Sequence, residues 1–361
     1  MSNARKLADN LPTEGQLAGR NVIINGAMNL SQRQTSSSNV GNQYVLDRFA
    51  VYKQNTGSTY TCSQNSVTDL AGFANSLKMD CSTADTSIAA NEQVYISYKA
   101  EGQDLQRFQK GHATALGFTL SFYVKTNKTG VYTVKMFDRD NTRDVSGSYT
   151  VADANWNRYT INFPADTTGK FDDDNASSLE IFFHLVNGSD TTGGTLNTAW
   201  RANSDASSAT GQVNFADSTS NDWEITGVQL EVGSAATPFE HRAFGDELHR
   251  CQRYFEVIVS GDSREIGGGN YYSSSAIHCP TIFETSKRTN SYSVTVTGGT
   301  NYFRVYRNGT SDDFDGFTGS TRANINRCLL YASSGVSGTA GHGLELLTNN
   351  ASAKIVVDDE L

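Results

Sequence analysis

Hydrophobic and polar residues alternate in short stretches through most of the chain, and Gly, Asn, Asp and Ser separate the stretches. The alternation is clearest in Phe118-Leu120-Phe122-Val124, where every second side chain is apolar. A period of two is typical of a β-strand with one buried and one solvated face, and about ten such stretches occur before any long helical pattern. Because a parallel α/β fold would need crossover helices, the pattern predicts an antiparallel two-sheet sandwich, a jelly roll, over residues 21–242.

Three local patterns make this prediction specific. NVII at Asn21–Ile24 and YVLDRFAVY at Tyr44–Tyr52 each predict one strand. The segment Asn127–Gly130 separates two alternating stretches, and its glycine suits the positive φ of a tight turn. We therefore expect a hairpin there, with its two strands paired and one face buried.

The period changes at Phe244, after which Leu248, Cys251 and Phe255 follow at intervals of three and four. This spacing places the four side chains on one stripe of an α-helix. It predicts a linking helix over residues 243–256.

Strand-like alternation resumes after the glycine run Gly267–Gly269. It predicts a second, smaller β domain over residues 257–361. The expected fold class is therefore all-β: a jelly-roll β-sandwich, a linking helix and a second, smaller β domain.

The first residues of the chain have a different character. Helix-forming residues occupy Ser2–Asn10, and Pro12 ends them, so a short attachment helix and a linker are expected over residues 1–20. A short terminal helix on a flexible linker suits docking onto another protein. The residues expected to make this contact are Arg5, Lys6, Leu7 and Leu11.

Composition and charge exclude several functions. The formal net charge of −9 and pI near 5.2 argue against binding to a nucleic-acid backbone, which needs a basic surface. No stretch reaches the roughly 20 apolar residues of a membrane span, so we expect no membrane insertion. The amino end lacks the apolar core of a signal peptide, so we expect the protein to be made and kept in a cytoplasm. The five cysteines are scattered and are expected to be buried thiols.

Four stretches of this sequence resemble a family of marine-bacteriophage tail-fibre and virion structural proteins. They are Arg5–Met28, Lys78–Gln106, Asp222–Glu256 and the terminal VVDDEL. The third contains GVQLEVG, ATPFEHR and CQRYF in close succession. The resemblance implies a jelly roll similar to carbohydrate-binding modules, because Asn21–Met28 is similar to their opening N-x-x-x-N-G phrase. This sequence departs from the family at Phe49, where a Trp is common among family members.

The resemblance implies a virion protein, assembled in the host cytoplasm, that serves as a tail fibre or receptor-binding component and contacts host surface glycans. Its expected partners are other virion proteins, bound through the amino-terminal segment, and a host glycan. A homotrimer is expected because it would cover exposed strand edges. Two alternatives stay open: a structural adaptor or head decoration that binds no glycan, and, less favoured, a polysaccharide depolymerase.

Trp200 is the first candidate for stacking on a sugar ring, since a polar loop follows it directly. Arg201, Asn203 and Asp205 of that loop would supply hydrogen-bonding groups beside the ring. A packing role for Trp200 is the alternative, because large aromatic side chains mostly contribute buried area.

No catalytic motif is recognisable, and the chain is expected not to be an enzyme. The acidic clusters at Asp172–Asn175 and Asp312–Gly316 could offer oxygen ligands to a structural Ca²⁺, but neither has EF-hand spacing. Solvated turns are the favoured interpretation of both clusters. We therefore expect no cofactor and assign no metal ligands.

Overall fold

The computed structural model describes residues 19–317 and 324–361. The chain divides into two compact units, one that ends at Phe244 and includes Leu361, and one at Gly245–Glu360. The predicted attachment residues Arg5, Lys6, Leu7 and Leu11 lie outside the described residues. No helix within the described part of the chain is long and apolar enough to span a bilayer.

The first unit is built almost entirely of strands. They are β1 (Ser36–Ser37), β2 (Gln43–Leu46), β3 (Phe49–Gln54), β4 (Thr59–Ser66), β5 (Asn75–Thr83), β6 (Gln93–Glu101), β7 (Phe118–Thr126), β8 (Gly130–Asp138), β9 (Arg143–Val151), β10 (Asn157–Phe163), β11 (Ser177–Asn187), β12 (Arg201–Ala202) and β13 (Asp222–Val232). A one-turn helix, α1 (Ser189–Thr192), and short 3₁₀ turns at Gly102–Asp104, Gln106–Phe108, Asp205–Ser207 and Phe215–Asp217 connect them.

These strands form two antiparallel sheets that pack face to face. One has six strands in the order β1-β4-β5-β13-β7-β10, and the other has seven in the order β12-β9-β8-β11-β6-β3-β2. Between them, Phe122 of the six-stranded sheet packs edge-on against Phe183 of the other, with ring centroids 5.3 Å apart. The buried Trp223 indole donates a hydrogen bond to the Tyr149 hydroxyl across the same interface, at 3.3 Å. The predicted all-β jelly-roll sandwich is confirmed.

Two of the local strand predictions are wrong. Asn21–Ile24 forms no strand, because the Asn21 side chain bonds to β13 instead, donating to the Val228 carbonyl and accepting from the Leu230 amide. The stretch Tyr44–Tyr52 is split between β2 and β3, which pair as a hairpin. Arg48, at the turn, has φ of 71°, a left-handed conformation that a continuous strand does not contain.

The predicted hairpin around Asn127–Gly130 is also wrong, because β7 and β8 belong to different sheets. β7 pairs with β10 and β13, whereas β8 pairs with β9 and β11. Each strand buries its apolar side toward the shared core, so the connection crosses from one sheet to the other. Gly130 at this crossing has φ of 130°.

Hydrogen bonds join the two ends of the first unit. The Glu240 carboxylate accepts from the amides of Gly19 and Asn21, at 2.6 and 2.7 Å. The Arg242 guanidinium donates to the carbonyls of Asn21 and Ile23. The sandwich is therefore closed by contacts between residues more than 200 positions apart.

The second unit begins within a helix, at its second residue, and continues as strands. The elements are α2 (Phe244–Gln252), β14 (Phe255–Ser260), β15 (Glu265–Ser273), β16 (Ala276–Ile282), β17 (Ser293–Thr297), β18 (Phe303–Arg307), β19 (Thr310–Phe314), β20 (Arg327–Ala332), β21 (Gly343–Thr348) and β22 (Lys354–Asp358). They form a three-stranded sheet, β14-β22-β17, and a six-stranded sheet, β19-β18-β21-β15-β16-β20. A second hydrophobic core contains Tyr271, Ile277, Phe303, Leu330, Ile355 and Val357.

The helix predicted over 243–256 ends earlier than expected, at Gln252. Phe255 and Glu256 instead start β14, where they pair with Asp358 and Val357. A buried ion pair holds Glu256 in place, since its carboxylate accepts from the Lys287 ammonium. Tertiary pairing with β22 thus overrides the helical spacing at this end.

Candidate functional site

The outer face of the seven-stranded sheet carries a row of aromatic side chains. On its central strands, alternate residues point into the core and the others point outward. The outward positions hold Tyr52 on β3, Tyr95 on β6, Phe182 on β11 and Phe137 on β8. These four strands are neighbours in the sheet, so the side chains form one row across it, which we call the aromatic strip.

The rings of the aromatic strip contact one another in sequence. Tyr52 stacks on Tyr95 with centroids 4.7 Å apart and ring planes 20° from parallel. Tyr95 meets Phe182 edge to face at 4.6 Å, and Phe182 stacks with Phe137 at 6.4 Å. Because neighbouring strands lie about 4.8 Å apart, the strip extends about 14 Å across the sheet. It is long enough for several sugar rings in a row.

The strip lines a shallow surface depression of about 360 Å³, which residues of β2 also line. Its rings differ in accessibility: Tyr52 is 36% exposed, whereas Tyr95 and Phe182 are each 9% exposed. A ligand would therefore reach the Tyr52 ring first and would find Tyr95 and Phe182 as the floor. Tyr44 and Lys99, also at this depression, donate hydrogen bonds to the carbonyl of Leu361, at 2.9 and 2.8 Å.

Polar groups stand beside the rings in fixed positions. The Glu180 carboxylate accepts from the Ser97 hydroxyl at 2.7 Å and from the Arg139 guanidinium at 2.6 Å. The Arg139 guanidinium also lies 5.9 Å from the Phe137 ring centroid. Hydroxyl, carboxylate and guanidinium groups therefore edge the aromatic floor, and they can exchange hydrogen bonds with a polar ligand.

The polar loop predicted after Trp200 converges on Lys135 at one end of this face. The Lys135 ammonium donates to the Asn203 side chain at 2.9 Å and to Asp205 at 2.7 Å. Arg201 bonds to Asp144, a buried carboxylate 3.7 Å from the same ammonium. The structure thus brings together three of the residues predicted from the sequence, Arg201, Asn203 and Asp205.

Lys135 joins this loop to the aromatic strip. Its ammonium lies 5.3 Å from the Phe137 ring centroid and 5.7 Å from that of Phe182. The attraction between an ammonium and an aromatic face stabilises this arrangement. The predicted loop residues therefore border the strip through Lys135, which the sequence analysis did not single out.

Trp200 lies apart from its three predicted companions. Its ring packs against the core edge-on to Phe118, at 6.2 Å, and its indole N–H donates to the Pro164 carbonyl at 3.0 Å. The ammonium of the buried Lys110 lies 4.8 Å from its ring centroid. This is the packing arrangement weighed against stacking in the sequence analysis, so Trp200 takes no part in the site developed below.

His184 lies beside the strip on the same face of the sheet, next to Tyr95 and Phe182, with ring-centroid distances of 5.7 and 6.1 Å. Neither of its nitrogens has a hydrogen-bond partner among residues 19–317 and 324–361. Burial, reinforced by the positive charge of Lys135, lowers the pKa of His184 to about 3, and Asp205 opposes this shift. The imidazole is therefore neutral at physiological pH.

The aromatic strip itself escaped the sequence analysis because its residues come from four strands far apart along the chain. A recognisable pattern was present, however. Leu179–Val186 is an almost unbroken apolar run, and Tyr95–Tyr98 carries aromatic residues in both phases of the alternation. Such runs indicate that both faces of a strand are apolar, so that each is either buried in the protein or available to contact a ligand.

In the Asp312–Gly316 cluster considered for Ca²⁺, two carboxylates are engaged in ion pairs. Asp312 and Asp313 pair with Arg307 and Arg304, at 2.8 and 2.6 Å. In the part of the chain that the structure describes, no three His, Cys, Asp or Glu side chains converge as metal ligands. The five cysteines are all buried.

Comparisons with known proteins yield structural likeness only. No protein-family model matches the chain, and no curated protein matches its sequence. A tailspike protein 4 enzymatically active domain of bacteriophage CBA120 is similar over 59% of this chain, at 12% identity and a TM-score of 0.31, but the match covers 21% of that chain. A CBM4 structure is 13% identical, with a TM-score of 0.29, over 58% of this chain and 98% of its own.

The family 11 carbohydrate-binding module of the Clostridium thermocellum cellulase Lic26A-Cel5E is 12% identical, with a TM-score of 0.29. That match covers 57% of this chain and 99% of the module. The functional argument below rests on the side chains of the sheet face and not on these likenesses.

Proposed function

We propose that this protein is a bacteriophage virion component that binds a host surface glycan on the outer face of its seven-stranded sheet. The observation that carries the proposal is the aromatic strip, a row of contacting rings at the floor of an open depression, edged by hydrogen-bonding side chains.

A saccharide is the ligand that suits this surface. The C–H face of a pyranose is apolar and stacks on aromatic rings, whereas its hydroxyls need donors and acceptors at the ring edge. The strip offers Tyr52 for stacking, and Ser97, Glu180 and Arg139 offer partners for hydroxyls. The strip crosses four strands, so we propose an oligosaccharide segment as the ligand and not a single sugar.

The virion part of the proposal is supported by the sequence resemblance to phage tail-fibre proteins. In this proposal the amino-terminal segment binds other virion proteins, and the protein assembles as a homotrimer in the host cytoplasm before joining the particle. Sedimentation of the full chain at micromolar concentration is expected to show three copies. A monomer under those conditions would contradict the trimer.

The decisive experiment measures binding of the full-length protein to intact host cells before and after periodate oxidation of surface sugars. We expect saturable binding that periodate abolishes, and Tyr52→Ala should weaken it about tenfold or more because the accessible stacking ring is lost. Tyr123→Ala is the matched control. Tyr123 is a partly exposed tyrosine on β7 of the six-stranded sheet, and its ring packs on that of Phe73 with centroids 5.3 Å apart.

Three outcomes would count against the proposal. Binding that survives periodate would mean that the receptor is not a glycan, and absence of binding by correctly assembled protein would favour a structural adaptor or head decoration. The proposed role is binding without catalysis. Release of reducing ends from a host polysaccharide would therefore replace this role with that of a depolymerase.

A further inference from the structure

We propose that the second unit carries a saccharide-binding site of its own, for a neutral glycan, on the outer face of its six-stranded sheet. This site is separate from the aromatic strip and does not depend on it. It consists of a shallow channel, which we call the glycine trough, with Gly268, Gly343 and Asn270 as its floor and aromatic side chains on both sides.

One side of the trough is a group of contacting aromatic rings, of which Tyr272 is exposed and His278 and Tyr331 are half-buried. Tyr272 is 65% exposed and stacks on His278, with centroids 4.5 Å apart and planes 14° from parallel. His278 in turn meets Tyr331 of the neighbouring strand edge to face, at 5.4 Å. One face of the Tyr272 ring is thus supported by another ring, which leaves the opposite face as a rigid stacking surface.

The other side of the trough is formed by Tyr306 on β18, which is 42% exposed. Tyr306 pairs with Glu345, and Glu345 pairs in turn with Gly268. From β18 to β16 the sheet crosses three strand spacings, about 14 Å. A depression of about 410 Å³ lies at this side of the trough, lined by Tyr306, Gly343 and Glu345 and by the turn residues 307–310.

The two glycines of the floor have no structural requirement. Neither Gly268 nor Gly343 has a positive φ. A Cβ atom added to Gly343 would meet nothing within 4 Å, and one added to Gly268 would meet only the Leu344 carbonyl oxygen, at 3.7 Å. By contrast, a Cβ on neighbouring Gly269 would lie 2.3 Å from the His278 carbonyl oxygen. Only Gly269 is explained by packing.

Glycine weakens a strand, so an unforced glycine in a strand often marks a place where another molecule approaches the backbone. Gly268 and Gly343 leave two open positions on the sheet surface between the aromatic side chains, opposite Glu345 and Asn270 respectively. A ligand lying there would contact the strand backbone below and the aromatic rings at its sides.

The charges around the trough favour a neutral glycan. Arg304, which points outward on β18, is already paired with Asp313 through two hydrogen bonds, of 2.6 and 2.9 Å. Arg307, which lines the depression beside Tyr306, is paired with Asp312 at 2.8 Å, and the polar side chains on the floor are those of Asn270 and Glu345. Amide and carboxylate groups bond to sugar hydroxyls, whereas the carboxylate repels an anionic sugar.

Filling the trough tests the inference. Gly343→Val places a branched side chain on the floor, in open space and in a residue type that strands favour, so the second unit should keep its melting temperature or gain slightly. Binding to an array of neutral oligosaccharides is expected to fall about tenfold or more. Tyr272→Ala should produce a similar loss by removing the stacking surface. Ile282→Ala, which removes a 76% exposed apolar side chain of the same sheet outside the trough, is the control.

The array should be repeated in the Tyr52→Ala background, which separates the two sites. Residual binding that Gly343→Val then removes supports a second site, whether or not Tyr52→Ala has an effect by itself. Binding unchanged by both Gly343→Val and Tyr272→Ala overturns it. A change in sedimentation caused by Gly343→Val or Ile282→Ala also overturns it, because the face would then be a contact between copies of the chain.

Discussion

The two units present aromatic side chains on the open side of a sheet in opposite ways. In the first unit the inner rings of the aromatic strip are almost buried and are held among charged groups, with Lys135 against Phe137 and Phe182. In the second unit Tyr272 stands out in solvent beside bare glycines. Aromatic side chains thus contribute to the stability of the fold in the first unit, whereas in the second unit Tyr272 can be removed with little loss of packing. Stability and ligand binding should be coupled in the first unit and independent in the second.

The largest expected effect is that of Phe182→Ala on the stability of the first unit. Phe182 contacts Tyr95, Phe137 and Lys135, and removing a ring from such a site costs about 3 kcal/mol or more. The three tryptophans all lie in the first unit, so tryptophan fluorescence during urea unfolding reports on that unit. Phe182→Leu retains most of the buried volume and should cost about 1 kcal/mol. Equal stability of Phe182→Ala and the wild type would contradict the coupling.

An intermediate effect is expected from acid, through His184. The pKa of His184 is about 3 in the folded protein and roughly 6.5 in an unfolded chain. The contribution of the neutral imidazole to the free energy of unfolding is therefore fully present above about pH 6.5 and is lost as the pH falls toward about 3. Between pH 7 and pH 5 this loss amounts to about 2 kcal/mol. His184→Leu should remove this dependence from urea unfolding curves. His112→Leu, at an exposed position of the same unit, should leave it unchanged.

The smallest effect is expected for Tyr272→Ala, whose free energy of unfolding should stay within about 0.5 kcal/mol of the wild type. The ring is largely exposed, so little buried area is lost. Calorimetry is the suitable measurement, because the second unit contains no tryptophan. A clear fall in the melting temperature of the second unit would show that Tyr272 is structural, and the contrast between the two surfaces would disappear.

Alternation along the chain was enough to predict the all-β architecture, because the period of two records burial strand by strand. It could not predict which strands pair. The apolar side chains of β7 and β8 would be buried equally well whether the two strands paired in one sheet or lay in two sheets that face each other. Only the three-dimensional packing shows that they lie in different sheets. Strand β9 shows little alternation, because serine and glycine occupy much of it and its apolar residues, such as Val145 and Tyr149, are widely spaced.

The candidate sites were less predictable than the fold. The loop containing Arg201, Asn203 and Asp205 was identified from local sequence, since all its residues are close together along the chain. The aromatic strip depends instead on the order of strands in a sheet, which brings residues 52, 95, 137 and 182 into one row. The glycine trough depends on an absence of side chains, and only a structure shows whether a glycine is crowded or open.

The closure of the first unit by Glu240 and Arg242 has a consequence for synthesis. Strand β13 pairs with both β5 and β7 in the middle of the six-stranded sheet, and the residues after it bond to Gly19, Asn21 and Ile23. A nascent chain that has not yet delivered residues 222–242 beyond the ribosome therefore lacks a central strand and leaves the edges of β5 and β7 open. Unpaired strand edges favour association with other chains. Incomplete chains on neighbouring ribosomes of one messenger RNA would therefore be prone to pair with one another through these edges until residues 222–242 have emerged.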